Sequence, residues 1–130
     1  MNYNQIGILL GVIAIAFFGF TVKKVNNPYL KGLWNSALLV FTIYAAILIY
    51  IEIHWQFISE YASKYDINGN GFVDLNEYSD EAIDAMNRKT YGSTVRGYAP
   101  LTMAAFSSII GFAYLMSDWF VTRLKNKEQN

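Results

Sequence analysis

The 130-residue chain has no cysteine and a single histidine, His54. The first absence removes disulfides, thiol nucleophiles and thiolate metal sites. The second excludes a multi-histidine zinc, copper or haem site built within one chain. Charge is also scarce, at 15% of residues against roughly 25% in an average soluble domain. It sums to zero, so the basic face that nucleic-acid binding requires is missing. No nucleophile–base pair, phosphate loop or redox-metal cluster is present, and no autonomous enzyme is expected. The length suits one domain.

Apolar residues, by contrast, make up 54% of the chain and aromatics 17%. Three long uncharged runs stand out: Met1 to Val22, Gly32 to Ile51 and Gly97 to Ser117. Each approaches or passes the roughly 20 residues needed to cross a hydrocarbon core. A soluble helix would show a charged face every two turns, and these runs do not. Tyr29, Trp34, Tyr50, Trp55, Tyr98 and Trp119 stand near the run ends, where amphipathic rings favour the water–lipid interface. The first run has no basic stretch before it and no small-residue cleavage site after it, so it reads as an uncleaved first helix. Asn26-Asn27-Pro28 signals a turn, which makes helices 1 and 2 an antiparallel hairpin.

Residues 66–77 read DINGNGFVDLNE. A calcium ion takes six to eight oxygens, which a tight loop can supply from alternate positions. Asp66, Asn68, Asn70, Asp74 and Glu77 stand at positions 1, 3, 5, 9 and 12, with Gly71 at the turn and Phe72 at position 7 offering its backbone carbonyl. The pattern D-x-[DN]-x-[DN]-G-x₅-E is matched without departure. Here the sequence resembles the EF-hand family, over about residues 57–88. Phe57, Ile58, Tyr61, Ala62 and Tyr65 give apolar helical spacing before the loop. Leu75, Tyr78, Ala82, Ile83 and Met86 give it after the loop. Asp74 with Glu77 forms a potential capping box for the exit helix. Gly92 is its expected stop. The resemblance implies one calcium ion. With only three charged ligands, the expected affinity is roughly 10⁻⁶ to 10⁻³ M.

EF-hands usually occur in pairs, and only one loop exists here. The edge Phe72-Val73-Asp74 is therefore expected to pair with a second copy, another subunit or the chain's own Thr90–Tyr98 segment.

The expected fold is an all-α membrane protein of three transmembrane helices, with an EF-hand helix–loop–helix between helices 2 and 3. Residues 1–56 carry transmembrane helices 1 and 2 (about 4–22 and 32–54), and residues 57–89 the EF-hand. A flexible connector at 90–99, rich in glycine, leads to transmembrane helix 3 at 100–124 and a polar tail at 125–130. No glycine or proline lies between Leu33 and Asn68, so helix 2 is expected to run unbroken into the EF-hand. Calcium should then act through helix 2 and only loosely through helix 3.

Gly7, Gly11 and Gly19 on helix 1, and Ala104, Ser108 and Gly111 on helix 3, are candidate packing seams. Glu52 and His54 are expected as a solvated interfacial pair, Asp118 as an interfacial residue, and Asn35 and Ser36 as caps or bridges between helices.

Basic residues favour the cytoplasm. Lys23, Lys24, Lys31, Arg123, Lys125 and Lys127 outnumber Lys64, Arg88, Lys89 and Arg96 on the loop side. This points to a multi-pass protein of the cell membrane, with the EF-hand external and the C-terminus cytoplasmic. The expected partners are the lipid bilayer and other membrane subunits or a second copy, with no nucleic acid. The expected role is that of an accessory, assembly or stabilising subunit of a larger membrane complex. The alternative is a calcium-responsive membrane regulator or a homo-oligomeric channel subunit.

Overall fold

The computed structural model describes residues 1–71 and 73–130. It is all-helical, in the order α1 (Tyr3–Thr21), α2 (Pro28–Ser63) and α3 (Asp80–Glu128), with 3-10 turns at Val22–Lys24 and Leu75–Glu77. No strand occurs among the described residues. All three helices are long and apolar enough to cross a membrane.

Local chemistry sets the helix ends. Asn2 caps α1: its side-chain oxygen accepts the Gln5 N–H at 2.9 Å, and Gln5 Oε1 accepts the Asn2 N–H in return. Asn27 caps α2 by accepting the Tyr29 and Leu30 N–H groups. Pro28 follows at the first helical position, where a missing N–H costs nothing. With no glycine or proline after Gly32, α2 continues for 36 residues, about 54 Å at 1.5 Å per residue. The expected continuity of helix 2 past the apolar run is found.

Helices α1 and α2 form the expected hairpin, closed beside their connection by aromatic packing. Phe18 meets Trp34 edge-on at 5.6 Å and stacks on Phe41 at 5.8 Å. Trp34 Nε1 donates to Thr21 Oγ1 at 2.8 Å. At the same end Trp119 Nε1 donates to the Tyr29 carbonyl at 3.0 Å, which ties α3 to the start of α2. The Asp118 carboxyl lies against Gly32.

The packing is inverted relative to a water-soluble bundle. The buried positions are small (Gly7, Gly11, Ala45, Ala62, Ala82, Ala85, Ala99, Ser107, Gly111), and Leu48 is the largest fully buried side chain. Meanwhile Phe20 is 81% exposed and Phe112 65%. In water each such side chain would forgo about 1.5–3 kcal/mol of burial. In lipid it loses nothing, and association relies on close backbone approach. Gly7 and Gly11 provide that approach on α1: a Cβ at Gly7 would lie 2.7 Å from both Leu48 and the Tyr44 hydroxyl, and one at Gly11 would lie 3.2 Å from Ala45. Gly19 has only Leu38 at 3.9 Å, so it lies outside the tight seam. On α3 the seam runs through Ser107 and Gly111, while Ser108 is exposed. A Cβ at Gly111 would collide with Val40, and the Ser36 hydroxyl donates to the Gly111 carbonyl at 2.6 Å. Ser36 thus bridges helices.

The expected connector at 90–99 is replaced by helix, and helix 3 does not begin at Pro100. Helix α3 runs unbroken for 49 residues through Gly92, Gly97 and Pro100. Gly92 is not a stop but a packing position: a Cβ there would lie 3.2 Å from the Trp55 indole and 3.6 Å from Ile58. Burial against α2 outweighs the intrinsic helix cost of glycine, about 1 kcal/mol. Because Thr90–Tyr98 is helical, it cannot pair as a strand with the Phe72-Val73-Asp74 edge. The start of α3 also differs from expectation. Asp74 and Glu77 do form a capping box, but it caps the Leu75–Glu77 turn. The cap of α3 itself is Ser79, whose hydroxyl accepts the Ala82 N–H at 3.1 Å.

Candidate functional site

The polar loop lies between the end of α2 and the start of α3. Tightening turns lead into it, with the Tyr65 N–H on the Ala62 carbonyl and the Asp66 N–H on the Ser63 carbonyl. Gly69 and Gly71 have φ of +71° and +89°, a region open to glycine at no steric cost. No atom lies within 4 Å of a Cβ built on either, so backbone conformation, not crowding, calls for glycine there.

Most of the side chains singled out by spacing are bonded within this loop. Asp66 Oδ2 accepts the Gly71 N–H at 2.7 Å. Asn68 Oδ1 accepts the Asn70 N–H at 3.2 Å. Both asparagine amides donate to Asp74 Oδ2, at 2.5 and 2.9 Å. Glu77 joins the two halves of the loop: Oε1 accepts the Asn68 N–H and Oε2 the Asp74 N–H, both at 2.9 Å. Asp66 Oδ1 is buried and has no hydrogen-bond partner among the described residues. Phe72, expected to offer its carbonyl, lies outside the described residues. Val73 lines a hollow on the start of α3 with Tyr78, Ala82 and Ile83. In this conformation no three His, Asp or Glu side chains among the described residues group closely enough to hold a metal ion. The close polar contacts of Asp74 are instead amide N–H groups.

A second polar cluster joins all three helices at Glu52. Arg96 on α3 grips the carboxylate with two donors: Nε reaches Oε2 at 2.8 Å and Nη2 reaches Oε1. Two α1 side chains complete the shell. Asn4 Nδ2 donates to Oε2 at 2.9 Å and to the Leu48 carbonyl at 3.0 Å, and Gln5 Nε2 donates to Oε1 at 3.0 Å. Each oxygen therefore takes one guanidinium and one amide N–H, which fills the four lone-pair directions of the carboxylate. The Arg96 guanidinium also lies 5.1 Å from the Trp55 ring centroid, within cation–π range. The Arg96 and Glu52 side chains are 20% and 12% exposed. Glu52 is therefore a half-buried junction of the three helices and not half of a solvated pair with His54. His54 stacks on Tyr50 at 5.9 Å instead.

Asn4, Gln5 and Arg96 went unnoticed in the sequence. The available signal was three amides, Asn2, Asn4 and Gln5, opening an otherwise apolar run, since polar side chains at that depth seek partners.

Comparison with protein-family models, with curated proteins and with solved structures finds no match.

Proposed function

We propose that this chain is a three-helix membrane protein that binds one calcium ion in the loop 66–77 and acts as an accessory, assembly or stabilising subunit of a larger membrane complex. The observation that carries the calcium reading is Asp66 Oδ1. It is a buried carboxylate oxygen without a donor among the described residues, at the first position of a loop whose sequence pattern is complete. A buried unpaired acceptor of this kind is costly, and a hard cation would satisfy it.

The donor set fits calcium. Asp66, Asp74 and Glu77 offer carboxylate oxygens, and the Asn68 and Asn70 amides can present oxygen by rotating about χ2. No lysine or arginine lies within residues 66–77 to compete. Phe72 is the expected source of a carbonyl ligand. In this reading the loop lies outside the cell and the C-terminus in the cytoplasm, as the excess of Lys23, Lys24, Lys31, Arg123, Lys125 and Lys127 favours. The expected EF-hand resemblance supports the same ligand set.

The accessory role is supported by the small-residue seams at Gly7, Gly11 and Gly111, where helices approach closely. A second reading, a calcium-responsive regulator, is favoured by the unbroken helices on both sides of the loop. Isothermal titration of the full chain in lipid nanodiscs tests the calcium reading. One site per chain is expected, lost in Asp66→Ala, and no heat from the wild type would sink it. Mild-detergent purification tests the accessory role: stoichiometric larger partners support it, and a pure homo-oligomer opposes it.

A further inference from the structure

Proline 100 has no N–H, so the carbonyl four residues before it lacks its helical donor. That carbonyl belongs to Arg96, the residue that grips Glu52. Gly97 occupies the same turn, and nothing lies within 4 Å of where its Cβ would be. Helix α3 is thus weakest in the turn where it is cross-linked to α2. The cross-link reaches α1 as well, because Asn4 and Gln5 share the Glu52 carboxylate.

Above this point α2 and α3 continue toward the loop without interruption. Ala62, Ala82 and Ala85 are buried on this stretch and Gly92 lies against Trp55, small residues that let the two helices run close together. Movement at the loop end is expected to concentrate at the Arg96–Pro100 turn, where α3 lacks a backbone hydrogen bond. The loop also has reason to move. Both Glu77 oxygens are engaged with backbone N–H groups, and one of these bonds is half of the box that caps the Leu75–Glu77 turn before α3. Each oxygen has a second lone-pair direction, so a cation that draws both would share them with these N–H groups and weaken the bonds that set that turn. At the far end Asn4 Oδ1 is buried without a partner, so opening the cluster would let water reach it.

We propose that Arg96–Glu52 is a latch across the proline hinge of α3, and that loading the loop with calcium unfastens it and frees the outer end of α1. The inference rests on the calcium reading of the loop and adds to it a receiver, α1, and a transmission route. Unlatching removes the Glu52 bonds of Asn4 Nδ2 and Gln5 Nε2, which leaves these N–H donors on α1 available to a hydrogen-bonding surface on a neighbouring membrane helix, while Asn4 keeps the Leu48 carbonyl and Gln5 the Asn2 N–H.

The absence of cysteine permits site-specific labelling of the full chain. Exposed Tyr3 on α1 and exposed Tyr50 on α2 are replaced by Cys and spin-labelled, and the distance distribution is measured in phosphatidylcholine nanodiscs. Calcium binding is titrated on the same samples. A narrow distribution in chelator that broadens and lengthens with calcium is expected. Glu52→Gln should be broad without calcium and gain nothing from it. Pro100→Ala restores the N–H to the Arg96 carbonyl; it should bind calcium normally yet lose the distance response. Bound calcium with an unchanged Tyr3–Tyr50 distribution overturns the latch and leaves the calcium reading standing. Failure to bind calcium overturns both. A full response in Pro100→Ala overturns the hinge as the compliant element.

Discussion

The loop and the latch share a carboxylate approached by two amides and differ in what surrounds it. Each centres on a carboxylate approached by two amide side chains: Asp74 by Asn68 and Asn70, Glu52 by Asn4 and Gln5. The latch adds a guanidinium, with Arg96 forked on the Glu52 carboxylate and lying over Trp55. The loop adds two more acids, Asp66 and Glu77, and no base. A carboxylate with a resident cation becomes a cross-link between helices, because a bidentate pair is both strong and directional. Three carboxylates without one are what the proposed reading takes as a site for a cation from outside. Burial sharpens the contrast. The latch is largely enclosed, while the loop bonds are mostly exposed.

This comparison can be broken from either side. The largest effect is expected from Arg96→Ala, which strips the cation from a mostly buried carboxylate. Breaking such a pair by removing one partner costs roughly 3–5 kcal/mol, at the low end here because some solvent reaches Glu52. Reversible unfolding in detergent should show it. The paired change Glu52→Leu with Arg96→Met should restore much of the loss. Next comes the opposite swap. Asn70→Arg gives the loop a resident guanidinium, and calcium affinity by calorimetry should fall about 100-fold, because affinity follows the net charge of the ligand set. Unchanged affinity would mean that the loop's charge does not set its selectivity.

A smaller effect is expected from Gly7→Val, which tests whether the latch or the seam below it holds α1. The new side chain must displace Leu48 and the Tyr44 hydroxyl, at a cost of about 1–3 kcal/mol for overpacking. The same unfolding assay measures it, and a loss equal to that of Arg96→Ala would give the seam equal weight. Smallest is Arg88→Ala. Its pair with Asp84 at 2.9 Å is exposed and within one helix, worth about 0.3–0.5 kcal/mol. A large loss there would show that surface charge on the arm matters as much as the buried pair.

Much of the bundle was legible because it follows from one-dimensional rules. Uncharged runs gave the three helices, and the lack of glycine and proline after Leu33 gave the continuity of α2. The Gly7–Gly11 spacing gave a packing seam, and Ser36 gave a bridge. The misreading at 90–99 has a physical cause. Glycine serves both loops and close helix contacts, and only the position of Trp55, 37 residues away from Gly92, decides between them. Propensity favoured a connector, and tertiary packing overrode it. The latch was hidden for a similar reason. Glu52 and Arg96 are 44 positions apart, and nothing local to either indicates the other. A polar, self-bonded loop at 66–77 could be anticipated from spacing, since its acids and amides lie within twelve residues of one another; the calcium reading of it is a proposal. The misplaced cap was a finer matter, because Ser79 and Asp74 are both good caps and a short 3-10 turn separates them.

The length of α3 has a consequence for what the loop can sense. From Arg96 back to Asp80 the helix rises about 24 Å, along an arm that α1 does not accompany. If Arg96 marks the membrane surface, the loop stands about three Debye lengths of ~8 Å away from it. At that height the ion cloud gathered by lipid headgroups has thinned to the composition of the surrounding fluid. On the proposed calcium reading, a site mounted there would report the ionic content of the bulk and be insulated from changes in lipid charge.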